Sequence, residues 1–249
     1  MYEKILAENG KIITRLINNW MEFKELTLTP RSGYAKYGIY PDPDPLDYSR
    51  WESDLEHTAG LWKLVKLIQQ NFPEQFFKYW ELQDALEIAD IHEIGEKITG
   101  DICDDGERDN ATLDLVERQF IRETYLVGYS KSTAEHLFEL FCQFQNRSTR
   151  FGQTMYCCDK AEAMLQGLLY EKQKRGGHLL YANAAPLEIE GARVANTDRL
   201  VDVWLYSFVK NAKKYEYFDF FIALIVCAAR MVRKVDDPFP WLKPLLEEN

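Results

Sequence analysis

Apolar residues recur at helical spacing from the start of the chain. Ile5, Leu6, Ile12, Ile13, Leu16, Ile17, Trp20 and Met21 follow a 3.6-residue repeat with polar residues between them, which predicts an amphipathic helix over 2–27. Pro30 and Gly33 break it. A second helical pattern starts at Ser53, a candidate N-cap, and runs to Gln70 on Leu55, Leu61, Leu64, Val65 and Ile68. Asn71-Phe72-Pro73 closes it. The same spacing predicts helices over 81–98, 109–127, 131–146 and 151–174, and two more over 197–212 and 215–234. Gly100 suits a helix end, and Thr197 suits a cap, with Asp198 and Arg199 opening the helix behind it. Residues 182–196 read as an irregular, turn-rich connection, and Pro238-Phe239-Pro240 ends the ordered pattern before a short acidic tail. Alternating runs of useful strand length, internal repeats and low-complexity linkers are not seen. The expected fold class is all-α, a single-domain helical bundle.

Two stretches invite other readings. Tyr40 to Ser49 alternates prolines with Asp42, Asp44 and Asp47. It lacks the glycine and distal glutamate of a calcium-binding loop, so it reads as an extended surface loop, at 40–52 in all. Phe218 to Val232 is the most apolar run, but it contains Asp219 and Arg230 and is too short to span a bilayer. It reads as a buried helix.

Composition narrows the function classes. Hydrophobic residues make up 46% and aromatics 14% of the 249 residues, enough for a packed core. The net charge of −10 disfavours duplex nucleic acid, whose phosphates need Lys and Arg. It leaves room for a small phosphorylated ligand held at a local positive centre. Cys103, Cys142, Cys157, Cys158 and Cys227 show neither metal spacing nor a paired framework. They read as reduced and mostly buried thiols in a cytoplasmic protein, the adjacent Cys157 and Cys158 included. The N-terminus has no apolar run of signal-peptide length, and no membrane partner is expected.

The chemistry concentrates between Ala89 and Asp101. Within this stretch, His92 and Glu96 are i and i+4 on a helix, and Glu93 and Glu96 are i and i+3, so the three can project to one side. An imidazole beside carboxylates suits a divalent metal or acid–base work. His57, in the first turns of its helix, and Asp159, an acid set among apolar and small residues, bring the ligand-type residues to four on three helices. A bundle can aim such side chains at one point. Two imidazoles and two carboxylates suit Mn²⁺, Fe²⁺, Co²⁺ or Ni²⁺, with Zn²⁺ and Mg²⁺ as further candidates.

The blocks Pro30-Arg31-Ser32-Gly33-Tyr34, Glu56-His57-Thr58, Ile91 to Ile102 and Asp159-Lys160-Ala161-Glu162-Ala163 carry a family resemblance in their order and spacing. Over roughly residues 5–175 the chain resembles the HD-domain metal-dependent phosphohydrolases, and within them the small proteins that act as 5′-deoxynucleotidases. Two departures stand out. The family's second motif residue is normally aspartate and here is Glu93, and the Pro/Asp loop before His57 is longer than usual.

The resemblance implies an HD-type bundle over 1–180; the helices of 181–249, which it does not inform, are expected to pack on the same domain. It implies that His57, His92, Glu93 and Asp159 hold one divalent metal. Glu96 and Asp101 would be the catalytic acids, Glu96 toward the attacking water or leaving oxygen and Asp101 toward the sugar or the support of the site. Arg31 would reach the phosphate, and Lys160 would add positive charge or pair with its neighbour. The implied activity is hydrolysis of nucleoside or deoxynucleoside 5′-monophosphates through a metal-activated water, and the implied oligomer is a homodimer. The alternatives are hydrolysis of another phosphoester or a nucleotide polyphosphate, and a metal- or nucleotide-binding regulator that has lost turnover. His136 and His178 read as structural or surface residues.

Overall fold

The computed structural model describes residues 2–26, 54–76, 82–95, 110–173, 185–189, 192–197 and 199–247. Along the chain these form α1 (Tyr2–Leu26), α2 (Asp54–Asn71), the single turn α3 (Pro73–Phe76), α4 (Leu82–Ile91), α5 (Asn110–Phe120), α6 (Lys131–Asn146) and α7 (Arg150–Lys172). They continue with strands β1 (Ala185–Ile189) and β2 (Ala192–Thr197), then α8 (Leu200–Ala212), α9 (Phe218–Arg233) and α10 (Leu242–Glu247). Among the described residues the fold is all-α apart from this one hairpin. The expected loops at 30–34 and 40–52, together with Ser53, Cys103 and His178, lie outside the described residues.

The hairpin corrects the reading of 182–196 as irregular. β1 and β2 pair antiparallel from Ala185 opposite Thr197 to Ile189 opposite Ala192, with the register broken between Leu187 and Glu188. In these strands of five and six residues the alternation is interrupted by Pro186, by the register shift after Leu187 and by the polar pair Asn196-Thr197, so no clean period of two appears. Thr197 lies in β2, so it does not cap the following helix. The N-cap of α8 is Arg199, and its side chain makes no capping hydrogen bond.

The chain gathers into two compact units. The first takes residues 1–60 and 157–249. In it α1 packs on α9, with Ile13 and Ile17 fully buried and Thr14 Oγ1 3.4 Å from Cys227 Sγ. The helix α9 is apolar on nearly every side and buries Phe218, Phe220, Phe221, Ile222, Leu224 and Ile225, which is why its sequence resembles a membrane span without being one. Among the described residues, no helix is long and apolar enough to cross a membrane. At the end of α9, the buried Arg233 donates to Glu171 Oε1 and Asp202 Oδ1, each at 2.7 Å, and to the Pro238 carbonyl at 2.8 Å. This clamps α7, α8 and α9 together. Beyond Pro240, α10 buries Leu242 and Leu245. Six residues give too little periodicity to be legible as a helix.

The second unit takes residues 61–156. Leu61, Leu64, Val65 and Ile68 of α2 are buried, as their spacing requires. The helix α4 packs on α6. The single helix expected over 109–127 changes pitch, passing from α5 into a π turn over Ile121–Tyr125 and a 3₁₀ turn over Leu126–Gly128. Between α6 and α7 the chain reverses sharply. Arg147 adopts φ 52°, and Thr149 Oγ1 accepts from Gly152 N at 3.1 Å to cap α7. A Cβ on Gly152 would lie 2.0 Å from the Gln143 carbonyl oxygen, so the hairpin closes only with glycine there.

Candidate metal centre

His57 lies one turn into α2, with 13% of its side chain exposed. It meets two acids from α7. Asp159 and Glu162 are three residues apart, so their side chains rise from the same helix face. Glu162 Oε2 lies 2.6 Å from His57 Nδ1, and Asp159 Oδ1 lies 2.9 Å from His57 Nε2. Burial pulls the imidazole pKa down, but the Glu162 charge and the hydrogen bonds to Asp159 and Glu162 more than reverse this and raise it well above the ordinary histidine value. Lys160, half-exposed, holds the other Asp159 oxygen with Nζ 3.0 Å from Oδ2.

His92 and Glu93 lie just past the end of α4. The helix stops at Ile91, and residues 92–95 form a turn tied by His92 N to the Ile88 carbonyl at 3.0 Å and Ile94 N to the Ile91 carbonyl at 3.1 Å. This corrects the expected helix over 81–98 at residues 92–95; Glu96, expected on the same face as His92 and Glu93, lies outside the described residues. Helix termination leaves carbonyls without intrahelical donors, and His92 Nδ1 donates to one of them, Ala89 O, at 2.9 Å. The carbonyl can only accept, so the neutral ring carries its proton on Nδ1 and its lone pair on Nε2. That Nε2 faces Glu93 Oε1 at 3.0 Å. The ring edge packs on Phe144, with centroids 5.6 Å apart at 79°. Gly95 lets the turn sit close to α5, since a Cβ there would lie 2.8 Å from Glu117 Cβ.

The two imidazoles repeat one arrangement. In each, Nδ1 is tied to an acceptor and Nε2 faces a carboxylate oxygen at 2.9–3.0 Å. A lone pair facing a carboxylate is repulsive unless a proton or a cation lies between them. Within the first unit His57 stands beside Asp159, and within the second His92 stands beside Glu93, so each unit offers an imidazole next to a carboxylate. This mixed nitrogen and carboxylate set fits a first-row divalent cation.

The remaining expected residues divide. Lys160 stands beside Asp159, as an ion-pair partner of it. Arg31, Glu96 and Asp101 lie outside the described residues. His136 is exposed and pairs with Asp84 Oδ1 at 2.9 Å, a surface contact as expected. Cys157 and Cys158 are buried. Sequence reasoning passed over Glu162, fully buried against His57. Its three-residue spacing from Asp159 was the available signal.

Comparison with known families bears on the whole arrangement. A family model described as HD domain matches residues 46–185, more than half the chain, and spans all four ligand-type residues. The chain belongs to the HD-domain family. Searches of curated proteins and of solved structures give no match. HD domains are generally metal-dependent hydrolases of phosphate esters, and this HD domain presents the His, Glu and Asp donors that such chemistry requires. Glu93 is the residue at which the resemblance led to an expected aspartate. The longer side chain still brings a carboxylate oxygen alongside Nε2 of its own neighbour, His92.

Proposed function

We propose that this HD-domain protein is a phosphomonoesterase that hydrolyses nucleoside 5′-monophosphates, deoxynucleoside forms included, with one divalent metal at His57, His92, Glu93 and Asp159. The observation that carries the metal dependence is the pairing of an imidazole with a carboxylate in each unit, His57 with Asp159 and His92 with Glu93, in a chain of the HD-domain family. The substrate class rests on the likeness of the Arg31, His92–Asp101 and Asp159 blocks to the deoxynucleotidase group. Mn²⁺ and Co²⁺ head the candidate ions, followed by Fe²⁺ and Ni²⁺, then Zn²⁺ and Mg²⁺. When bound, the ion supplies Lewis-acid polarisation of the phosphoryl group and a more acidic water.

The chain's own residues supply the rest. Glu96 holds or deprotonates the attacking water, or protonates the departing 5′ oxygen. Arg31 grips the phosphate with a bidentate guanidinium. Asp101 meets the sugar, and Lys160 places a positive charge beside Asp159. The reduced thiols at Cys142, Cys157, Cys158 and Cys227 accord with a cytoplasmic location. A homodimer is the assembly this reading carries with it.

The test is phosphate release from a panel of ribo- and deoxyribonucleoside 5′-monophosphates in Mn²⁺ or Co²⁺, with and without chelator. Metal-dependent release that is lost in Glu96→Ala supports the proposal. A second reading, hydrolysis of another phosphoester, draws on Glu93 and the long Pro/Asp loop. The same panel extended to nucleoside triphosphates and sugar phosphates separates the two. Tight metal and nucleotide binding without turnover on any of these compounds would instead identify a regulator.

A further inference from the structure

We infer that Glu162 is a positioning residue of the metal centre: it fixes His57 by its Nδ1 and so presents Nε2, on the opposite side of the ring, to the ion. The inference rests on the metal-binding reading above. Either imidazole nitrogen can ligate a metal, and a half-turn of the ring about its Cβ–Cγ bond would move Nδ1 away from Glu162. The 2.6 Å contact from His57 Nδ1 to Glu162 Oε2 removes that freedom. In the neutral ring it also chooses the tautomer, because the carboxylate keeps the proton-bearing nitrogen; Nε2, hydrogen-bonded to Asp159 Oδ1 at 2.9 Å, is then the nitrogen whose proton a cation displaces.

Two further observations point the same way. Glu162 is fully buried, and a carboxylate in that setting is tolerated only where donors meet it. The second imidazole of the centre is organised alike, with the Ala89 carbonyl holding His92 Nδ1 at 2.9 Å. The difference lies in the tether. An anionic acceptor makes the imidazole more electron-rich than a neutral carbonyl does, so His57 becomes the stronger donor of the pair. Helix α7 thus supplies two acids with different tasks from one face, Asp159 on the Nε2 side and Glu162 on the Nδ1 side.

The experiment compares Mn²⁺ affinity, by calorimetric titration of the metal-free full chain, in wild type, Glu162→Gln and Glu162→Ala, at a temperature well below the melting point of each. Gln can still accept from Nδ1 but carries no charge. We expect the dissociation constant to rise about tenfold in Glu162→Gln and further, toward about a hundredfold, in Glu162→Ala. A purely structural role for Glu162 would lower the melting temperature of the metal-free protein and leave the affinity where it was. Wild-type binding with affinities in both variants within about twofold of it overturns the inference alone, against the 10–100-fold effect of such tethers. Absence of Mn²⁺ binding in the wild type overturns the metal reading and this inference together. Should Glu162→Gln not fold, Glu162→Asp serves in its place. It keeps the charge but withdraws it by a bond length, and it too must weaken binding.

Discussion

His92 Nε2 lies 3.0 Å from Glu93 Oε1, although the two residues are adjacent in the chain. The pair sits in the turn that follows α4, which ends at Ile91. The longer glutamate then folds its carboxylate back beside the imidazole. We expect Glu93→Ala to lose more Mn²⁺ affinity than the roughly 10–100-fold typical of a lost outer tether, because it removes a donor outright. Glu93→Asp should fall between that variant and wild type, its oxygen drawn back by one bond. Titration calorimetry of the three proteins gives the order, and an aspartate variant tighter than wild type would contradict it.

A cation that binds only the folded chain must also stabilise it. At an ion concentration about 100 times the dissociation constant, the gain is about 2.7 kcal/mol. For a chain of 249 residues that corresponds to a rise in melting temperature of about 5–10 °C. Calorimetric scans with Mn²⁺, and again after chelator, should show the rise and its reversal. The rise should vanish in Asp159→Ala.

Gly95 contributes no donor, yet the position of His92 and Glu93 depends on it. A Cβ at this position would meet the Cβ of Glu117 at 2.8 Å, an atom fixed to the α5 backbone that cannot swing aside. In Gly95→Ala the turn over 92–95 must lift off α5. We expect a stability loss of about 1–3 kcal/mol, the usual cost of overpacking, accompanied by weaker Mn²⁺ binding although every ligand is still present. An unchanged affinity would show that the turn adjusts without moving its donors.

Arg233 and Arg199 both reach Glu171, but from different surroundings. Arg233 is buried and also holds Asp202, whereas Arg199 is 43% exposed. Removing one partner of a buried charge cluster leaves the others uncompensated, so Arg233→Ala should cost about 3–5 kcal/mol. Arg199→Ala should cost about 0–1 kcal/mol, as exposed ion pairs do. Denaturant unfolding of both variants measures the difference. Similar costs would mean that burial does not set the strength of this cluster.

The sequence by itself determined the helical class, the extents of α1, α2 and α6, and which four residues are candidate donors. Those features are local: a 3.6-residue apolar repeat, a cap, a proline, or ligand-type side chains in a particular order along the chain. The reading failed where periodicity was too short to register, in the hairpin of β1 and β2 and in the single-turn helices α3 and α10. It failed also where a helix stopped without a glycine or proline to announce it, as α4 does at Ile91 under the hold of His92 on the Ala89 carbonyl. Only the tertiary structure decided what each donor faces. That Glu162 rather than a distant acid meets His57 Nδ1, that Lys160 is occupied with Asp159, and that Gly95 must remain small are consequences of packing between segments far apart in the chain. The stretch from His92 to Gly95 shows the division clearly: its residue types announce a metal, while its bend against α5 sets where their atoms stand.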